Sequence, residues 1–202
     1  MEVLMVVAVI SILVAIIIPA IGGAQTSAKR AKTRVQFSQW SAAIEQFRQE
    51  YGYYPAFGNA GGDAGSAFDD GRINLPARSV RFVQTLSGRK LDGSALTADS
   101  GGFAAGNIKG IPFCAFSADS LSPSNDLLDA FGNTEIVVLL DRNLDGVIDV
   151  EAGPDFPATA PLTVPSETTG DPVAVDLPEV GYIRAGVAFY SAGDGQRSVT
   201  SW

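Results

Sequence analysis

Asp141, Asn143, Asp145 and Asp149 place side-chain oxygens at steps 1, 3, 5 and 9 of one short segment, with Gly146 at step 6 and Ile148 at step 8. This spacing matches the first part of a calcium-binding loop. Alternate oxygens turn inward, the glycine allows a sharp bend, and the residue at step 7, here Val147, offers its carbonyl. Step 12, where such a loop expects a bidentate Glu, is Ala152; Glu151 and Asp155 stand nearby as replacements. The competing reading is an Asp-, Asn- and Gly-rich turn after a strand.

Glu2 offers chemistry of another kind. It stands at the mouth of an uncharged apolar run of 19 residues, Val3 to Ile21. As a helix the run is about 28 Å long, enough to cross most of a bilayer core. An ionised group beside such a helix is costly unless something pairs it. Either Glu2 finds a positive partner in low dielectric, or it sits at headgroup level as an acid in the first helical turn.

Enzymatic constellations are weak. The chain has no histidine and one cysteine, Cys114, so Ser-His and Cys-His mechanisms and an internal disulfide are excluded. Cys114 lies in the apolar stretch from Ile111 to Phe116 and reads as a small buried apolar residue. Asp69 and Asp70 sit in a glycine-rich loop and read as solvated. Gly58, Gly61, Gly62 and Gly65 have neither a preceding strand nor a following Lys-Ser/Thr, which argues against a phosphate loop. A net charge of −8 disfavours nucleic-acid binding.

The elements that must position these residues follow from periodicity. Val3 to about Tyr51 reads as one helix. Phe37, Trp40, Ile44, Phe47 and Tyr51 recur at alternating steps of three and four and form an apolar seam expected to pack on the head's own sheet. Lys29, Arg30, Lys32, Arg34, Gln39, Glu45, Arg48 and Gln49 fall on the other face, and Lys29–Arg34 reads as a solvated helix face, with contact to lipid phosphates or acidic neighbours as the alternative. Gly52 and Pro55 stop the helix. Pro19, Gly22 and Gly23 lie inside it and predict a kink or an unwound stretch. In the head, Ala56–Asp70 reads as loop, Ser79–Leu86 as a short helix, and Ile108–Phe116 and Glu135–Leu140 as strands. Pro154–Pro178 reads as mostly loop with a short strand at Val173–Val175, and Tyr182–Tyr190 as the final strand.

Over Glu2 to Pro19 the chain resembles the type IV pilin and type II secretion pseudopilin superfamily. Met1-Glu2-Val3-Leu4 fits the end of the family's aromatic-Thr-Leu-x-Glu-Val-Leu motif, Pro19 has the family spacing from Glu2, and the amphipathic continuation ends in Tyr51-Gly52-Tyr53-Tyr54-Pro55. Asp129-Ala130-Phe131-Gly132-Asn133 is similar to the Asp-Pro-Trp-Gly-Asn loop of major pseudopilins. Ser191-Ala192-Gly193-Asp194-Gly195 and the ending Thr200-Ser201-Trp202 are similar to their C-terminal loop and terminal Ser-Trp. The resemblance spans residues 1–55 and is patchy over 108–149 and 182–202.

The resemblance implies an α+β fold: a long N-terminal transmembrane and amphipathic helix packed on a small antiparallel sheet. Residues 1–24 would be the membrane and filament-core helix, 25–52 the amphipathic half, and 53–202 the head. It implies a structural, non-enzymatic subunit of a type IV-like filament, most simply a type II secretion pseudopilin. A true pilin for adhesion or motility is the alternative within the family, and a membrane-anchored periplasmic binding module the alternative from another class. Glu2 would pair with the N-terminal amine of a neighbouring subunit, while Pro19, Gly22 and Gly23 would let the core helix yield. Partners would be further copies, minor pilins or pseudopilins, and an inner-membrane assembly platform. The chain would sit once through the bacterial inner membrane with a periplasmic head, then in a periplasmic or extracellular filament. The family's prepilin peptidase cleaves after a Gly and the new N-terminus is methylated; the family's mature start would lie three residues upstream of Met1. Counting basic residues puts Lys29–Arg34 in the cytoplasm, whereas the family puts that side outside. Besides the 141–149 loop, the resemblance implies a second, weaker calcium site at Ser191 and Asp194.

Overall fold

The computed structural model describes residues 2–57, 72–141, 143–149 and 162–202; the side chains of Glu2, of residues 4, 8 and 16–21, and of residues 72 and 77 also lie outside the described set. Helix α1, Glu2–Tyr51, has 50 residues and is therefore about 75 Å long. It is helical throughout, including Pro19, Gly22 and Gly23, so of the expected kink or unwound stretch the unwinding does not occur. A missing proline N–H removes one rung of the ladder, and the flanking turns retain theirs. Gly52 ends the helix at φ 81°, its N–H bonding to Arg48 O at 2.7 Å. Among the described residues no helix is long and apolar enough to cross a membrane. The sequence run Val3–Ile21 includes eight positions whose side chains lie outside that set.

The head is α+β. A four-stranded antiparallel sheet has the order β1-β2-β7-β8, formed by β1 (Arg72–Asn74), β2 (Ile136–Leu140), β7 (Val187–Ser191) and β8 (Val199–Thr200). Two small two-stranded antiparallel sheets accompany it: β3 (Ile148–Asp149) with β6 (Tyr182–Ile183), and β4 (Thr163–Pro165) with β5 (Pro172–Ala174). Helix α2, Ser79–Ser87, matches its sequence expectation and is followed by a single turn, α3 (Gly101–Ala104).

Strands β2 and β7 are buried along their whole length, because both faces of the sheet are covered. Side chains alternate across a strand. Ile136, Val138, Leu140, Val187 and Phe189 join Phe37, Trp40 and Ile44 of α1 and Phe82 and Leu86 of α2. Val137, Leu139, Ala188 and Tyr190 point the other way, onto Leu162, Val164, Val173, Val175 and Ile183. The predicted α1 seam packs as expected, with Phe37 and Trp40 at ring distances of 5.5 and 5.7 Å from Phe189.

Three strand assignments change. Ile108–Phe116 forms no ladder. Gly110 takes φ 61°, Pro112 lacks a donor, and the Phe113 and Cys114 N–H groups both go to Leu86 O at the end of α2. Within Pro154–Pro178, residues 154–161 lie outside the described set. The short strand expected at Val173–Val175 is present as β5, one residue earlier, and it pairs with β4, which the sequence pattern did not separate from loop. Tyr182–Tyr190 splits into β6 and β7, and β8 is the last strand. The expected loop over 56–70 lies outside the described residues from 58 onward, including the glycines and Asp69-Asp70.

Candidate functional site

The residues expected from the sequence to serve assembly all lie on the first half of α1. Glu2 and Pro19 are helical, with side chains outside the described set. Gly22 and Gly23 are exposed, and a Cβ on either would meet nothing within 4 Å. They serve no packing inside the subunit. Every described side chain from Val3 to Ala15 is exposed, among them Met5 at 74%, Ile12 at 62% and Val14 at 46%. At about 100° per residue these positions cover the whole circumference of the helix. The rod therefore presents apolar surface on every side, and none of its described side chains over 3–15 is covered by the described part of the head.

The 141–149 loop follows β2 directly. Asp141 is buried; its Oδ1 accepts the Leu144 N–H at 2.7 Å and its Oδ2 the Gly146 N–H at 2.8 Å. Asn143 Oδ1 accepts the Asp145 N–H and Asp145 Oδ1 the Val147 N–H, at 3.1 and 2.9 Å. Asn143 Nδ2 donates to Asp145 Oδ2 at 2.8 Å. Gly146 takes φ 88°, the bend the spacing predicts. The side-chain oxygens thus brace the loop's own backbone. Asp149 pairs with Tyr182 in the β3–β6 ladder. A carboxylate has lone pairs beyond the one it spends on an N–H. Even so, among the described residues no group of three or more acidic, His or Cys side chains is gathered to hold a metal. Glu151, Ala152 and Asp155 lie outside the described set.

Ser191 and Asp194 are not brought together. Ser191 Oγ turns inward and donates to Asp129 Oδ2 at 2.8 Å. Asp194 faces α1, where Arg30 Nη2 reaches it at 2.7 Å. Burial raises the Asp194 pKa, but the Arg197 and Gln196 N–H groups and the Arg30 guanidinium outweigh it, leaving the carboxyl below its usual range. The sequence reading treated Arg30 as solvated; it is instead a clamp between α1 and the β7–β8 loop.

Asp129 is the polar centre that the residue pattern missed. It is 5% exposed and accepts four hydrogen bonds: from the N–H groups of Phe131 and Asn133 at 2.8 and 2.9 Å, from Asn133 Nδ2 at 3.0 Å and from Ser191 Oγ. Asn133 Nδ2 also donates to Gly193 O at 2.7 Å. The buried Thr33 hydroxyl on α1 accepts the Ala130 N–H at 3.2 Å, and Gln36 donates to Leu128 O at 2.9 Å. The two loops singled out by resemblance, 129–133 and 191–195, are therefore one unit, bonded to each other and to α1. Only the Asp-to-Asn spacing hinted at this, because the partners are far apart in sequence.

A cleft between α1 and the 141–149 loop is lined by Ser38, Glu45, Arg48, Asp145 and Gly186 among others. Its Glu45 carboxylate accepts from Arg48 Nε and from Tyr54 Oη, both at 3.0 Å. Burial and the Glu45 carboxylate push the Tyr54 phenol up, so it stays a neutral donor. Cys114 is half-buried at the edge of the core, and burial pushes its thiol up, away from the reactive thiolate. No known family, curated protein or solved structure matches the chain.

Proposed function

We propose that the chain is a structural subunit of a type IV-like filament, of the secretion-pseudopilin kind, with no catalytic role. One observation carries the reading: an apolar helical rod, exposed on all sides over Val3–Ala15, continuous with a helix locked into its own head. Such a rod needs a surrounding of its own polarity. Lipid supplies it before assembly, with the head on the periplasmic side. A bundle of the same rods from other copies supplies it afterwards.

Transfer from lipid to bundle leaves apolar surface dry in both states, so close packing and polar pairing must drive association. The open surroundings of Gly22 and Gly23 suit close approach by a neighbouring rod. Glu2, at the tip, pairs with the amine terminus of the next copy and fixes the stagger. Charge pairing in low dielectric is strong when satisfied, and an unpaired charge there is costly. Calcium bound at Asp141, Asn143, Asp145, Val147 and Asp149 would stiffen the head loop between neighbours.

Glu2→Ala in cells tests the reading. The expected outcome is normal membrane insertion with loss of filaments. A tethered binding module would tolerate the change and form no filament with either sequence; unchanged polymerisation of the variant would sink the pairing.

A further inference from the structure

Helix α1 carries no Asp or Glu from Val3 to Ile44, and four of the chain's 14 Lys and Arg fall within 29–34. Gly22 to Ala28, all uncharged, separate this cluster from the apolar run that ends at Ile21. Arg30 is taken by Asp194. Lys29, Lys32 and Arg34 are exposed and join no ion pair among the described residues. At about 100° per residue, Lys29 and Lys32 lie roughly 60° apart and Arg34 roughly 140° from Lys29, so the three stand around the helix as a collar. The head brings acids to the same level. Asp119 lines a cleft with Lys32, and Glu167 and Asp171 belong to the turn that packs on Gly195, with Glu167 accepting the Thr134 N–H. Lys29 has an aromatic neighbour, its Nζ 5.7 Å from the Phe131 ring centre. The collar is therefore no uniformly basic face of the head. Its place on α1 sets it apart, because α1 continues into the apolar run.

We propose that Lys29, Lys32 and Arg34 bind the phosphates of anionic lipids while the rod is in the membrane. The inference rests on the membrane-held stage of the filament reading and names the lipid chemistry of that stage. Axial distance carries it. At about 1.5 Å per residue, Lys29 stands about 12 Å and Lys32 about 17 Å beyond Ile21. Headgroups occupy roughly 5–8 Å on each side of the hydrocarbon core. Gly22 to Ala28 thus cross the headgroup layer, and the collar begins just outside it. Side chains on a helix tilt toward its N-terminus, here toward the membrane, and long Lys and Arg stems place their charge at a polar boundary. A chain of net charge −8 gains nothing from an anionic surface at long range. The rod brings the collar within about one Debye length, ~8 Å in physiological salt, where position decides over net charge. Phosphates held there fix how deep the rod sits, and leaving them is a cost of assembly.

The test reconstitutes the full chain in phosphatidylcholine vesicles that carry a spin-labelled lipid, either phosphatidylglycerol or phosphatidylcholine. The share of label immobilised at the protein is measured at low and high salt. Wild type is expected to hold phosphatidylglycerol about fivefold or more over phosphatidylcholine at low salt, because one basic residue near an anionic surface contributes about that factor. High salt should reduce the preference by screening. Lys29→Gln with Lys32→Gln and Arg34→Gln should bring the ratio within about twofold of unity, since Gln keeps the helix propensity and removes the charge. Should the triple fail to insert, Lys32→Gln alone should lower the preference part of the way. A triple that keeps the preference overturns the contact. If that triple also loses self-association, the collar belongs to a protein partner instead. Wild type that inserts and immobilises both lipids equally defeats this contact alone. Wild type that alkaline carbonate strips from every vesicle, with no lipid immobilised, defeats the membrane stage and the contact with it.

Discussion

At the residue scale, the strongest structural commitment of the head is Asp129. Its carboxylate is buried and accepts four hydrogen bonds, two of them from backbone N–H groups. Asp129→Ala would leave those donors without partners in a water-excluded site. We expect a loss of about 2–4 kcal/mol. In a urea titration of the full chain in detergent, the midpoint should fall while the slope is preserved; an unchanged midpoint would show that the network carries no stability. The 141–149 loop makes a different prediction. Its oxygens already brace its backbone, so it folds without a cation, and calcium adds stability only by binding the folded form. Calcium should therefore raise the melting temperature above that in chelator, and Asp145→Asn should remove the difference without unfolding the loop. Equal melting with calcium and with chelator would end the calcium proposal. Asp129 and Asp141 both carry Asp-x-x-Gly or Asp-x-Asn signatures of turns, so the local bends were legible in the sequence. That Ser191 also reaches Asp129 was not, because that hydrogen bond spans 62 residues and depends on the fold.

At the element scale, α1 and α2 were legible, the single turn α3 was not, and the strands were legible only in part. The α1 seam repeats over several turns, and a 3.6-residue period sustained that long has no strand alternative. Short β-strands have no such redundancy. Ile108–Phe116 is apolar enough to pass for a strand, yet its N–H groups are spent on the end of α2. Gly88 fixes that junction. It caps α2 at φ 67°, and a Cβ there would stand 2.5 Å from Gly110 O. Gly93 also has a positive φ, 81°, but nothing within 4 Å of its Cβ position. Gly93→Ala should cost about 1 kcal/mol, from backbone strain alone. Gly88→Ala should cost roughly 3 kcal/mol or more, since it adds a clash with backbone that cannot rotate away. Equal unfolding midpoints for the two variants would show that the close approach to 110–111 is not part of the folded state.

At the scale of the whole molecule, the chain divides into a rod without cover and a head with two. The second cover is the part that sequence reading undervalued. Pro154–Pro178 looks like an excursion of Pro, Thr and acids, but within it Val164, Val173 and Val175 turn inward and bury Val137, Leu139 and Tyr190. Those inward residues are few and widely separated by polar ones, so no local period announces them. The layer leaves its acids Asp171, Asp176 and Glu179 exposed. By itself, the sequence determined the long helix, its apolar tip with a carboxylate at the mouth, the seam that docks it and the turn chemistry after β2, because each depends on residues within a few turns or steps of one another. Only the tertiary structure decided that the 129–133 and 191–195 loops share one buried acid and that Arg30 clamps rather than solvates. Those facts depend on which distant segments the two faces of the sheet bring together, and neither periodicity nor composition encodes that pairing.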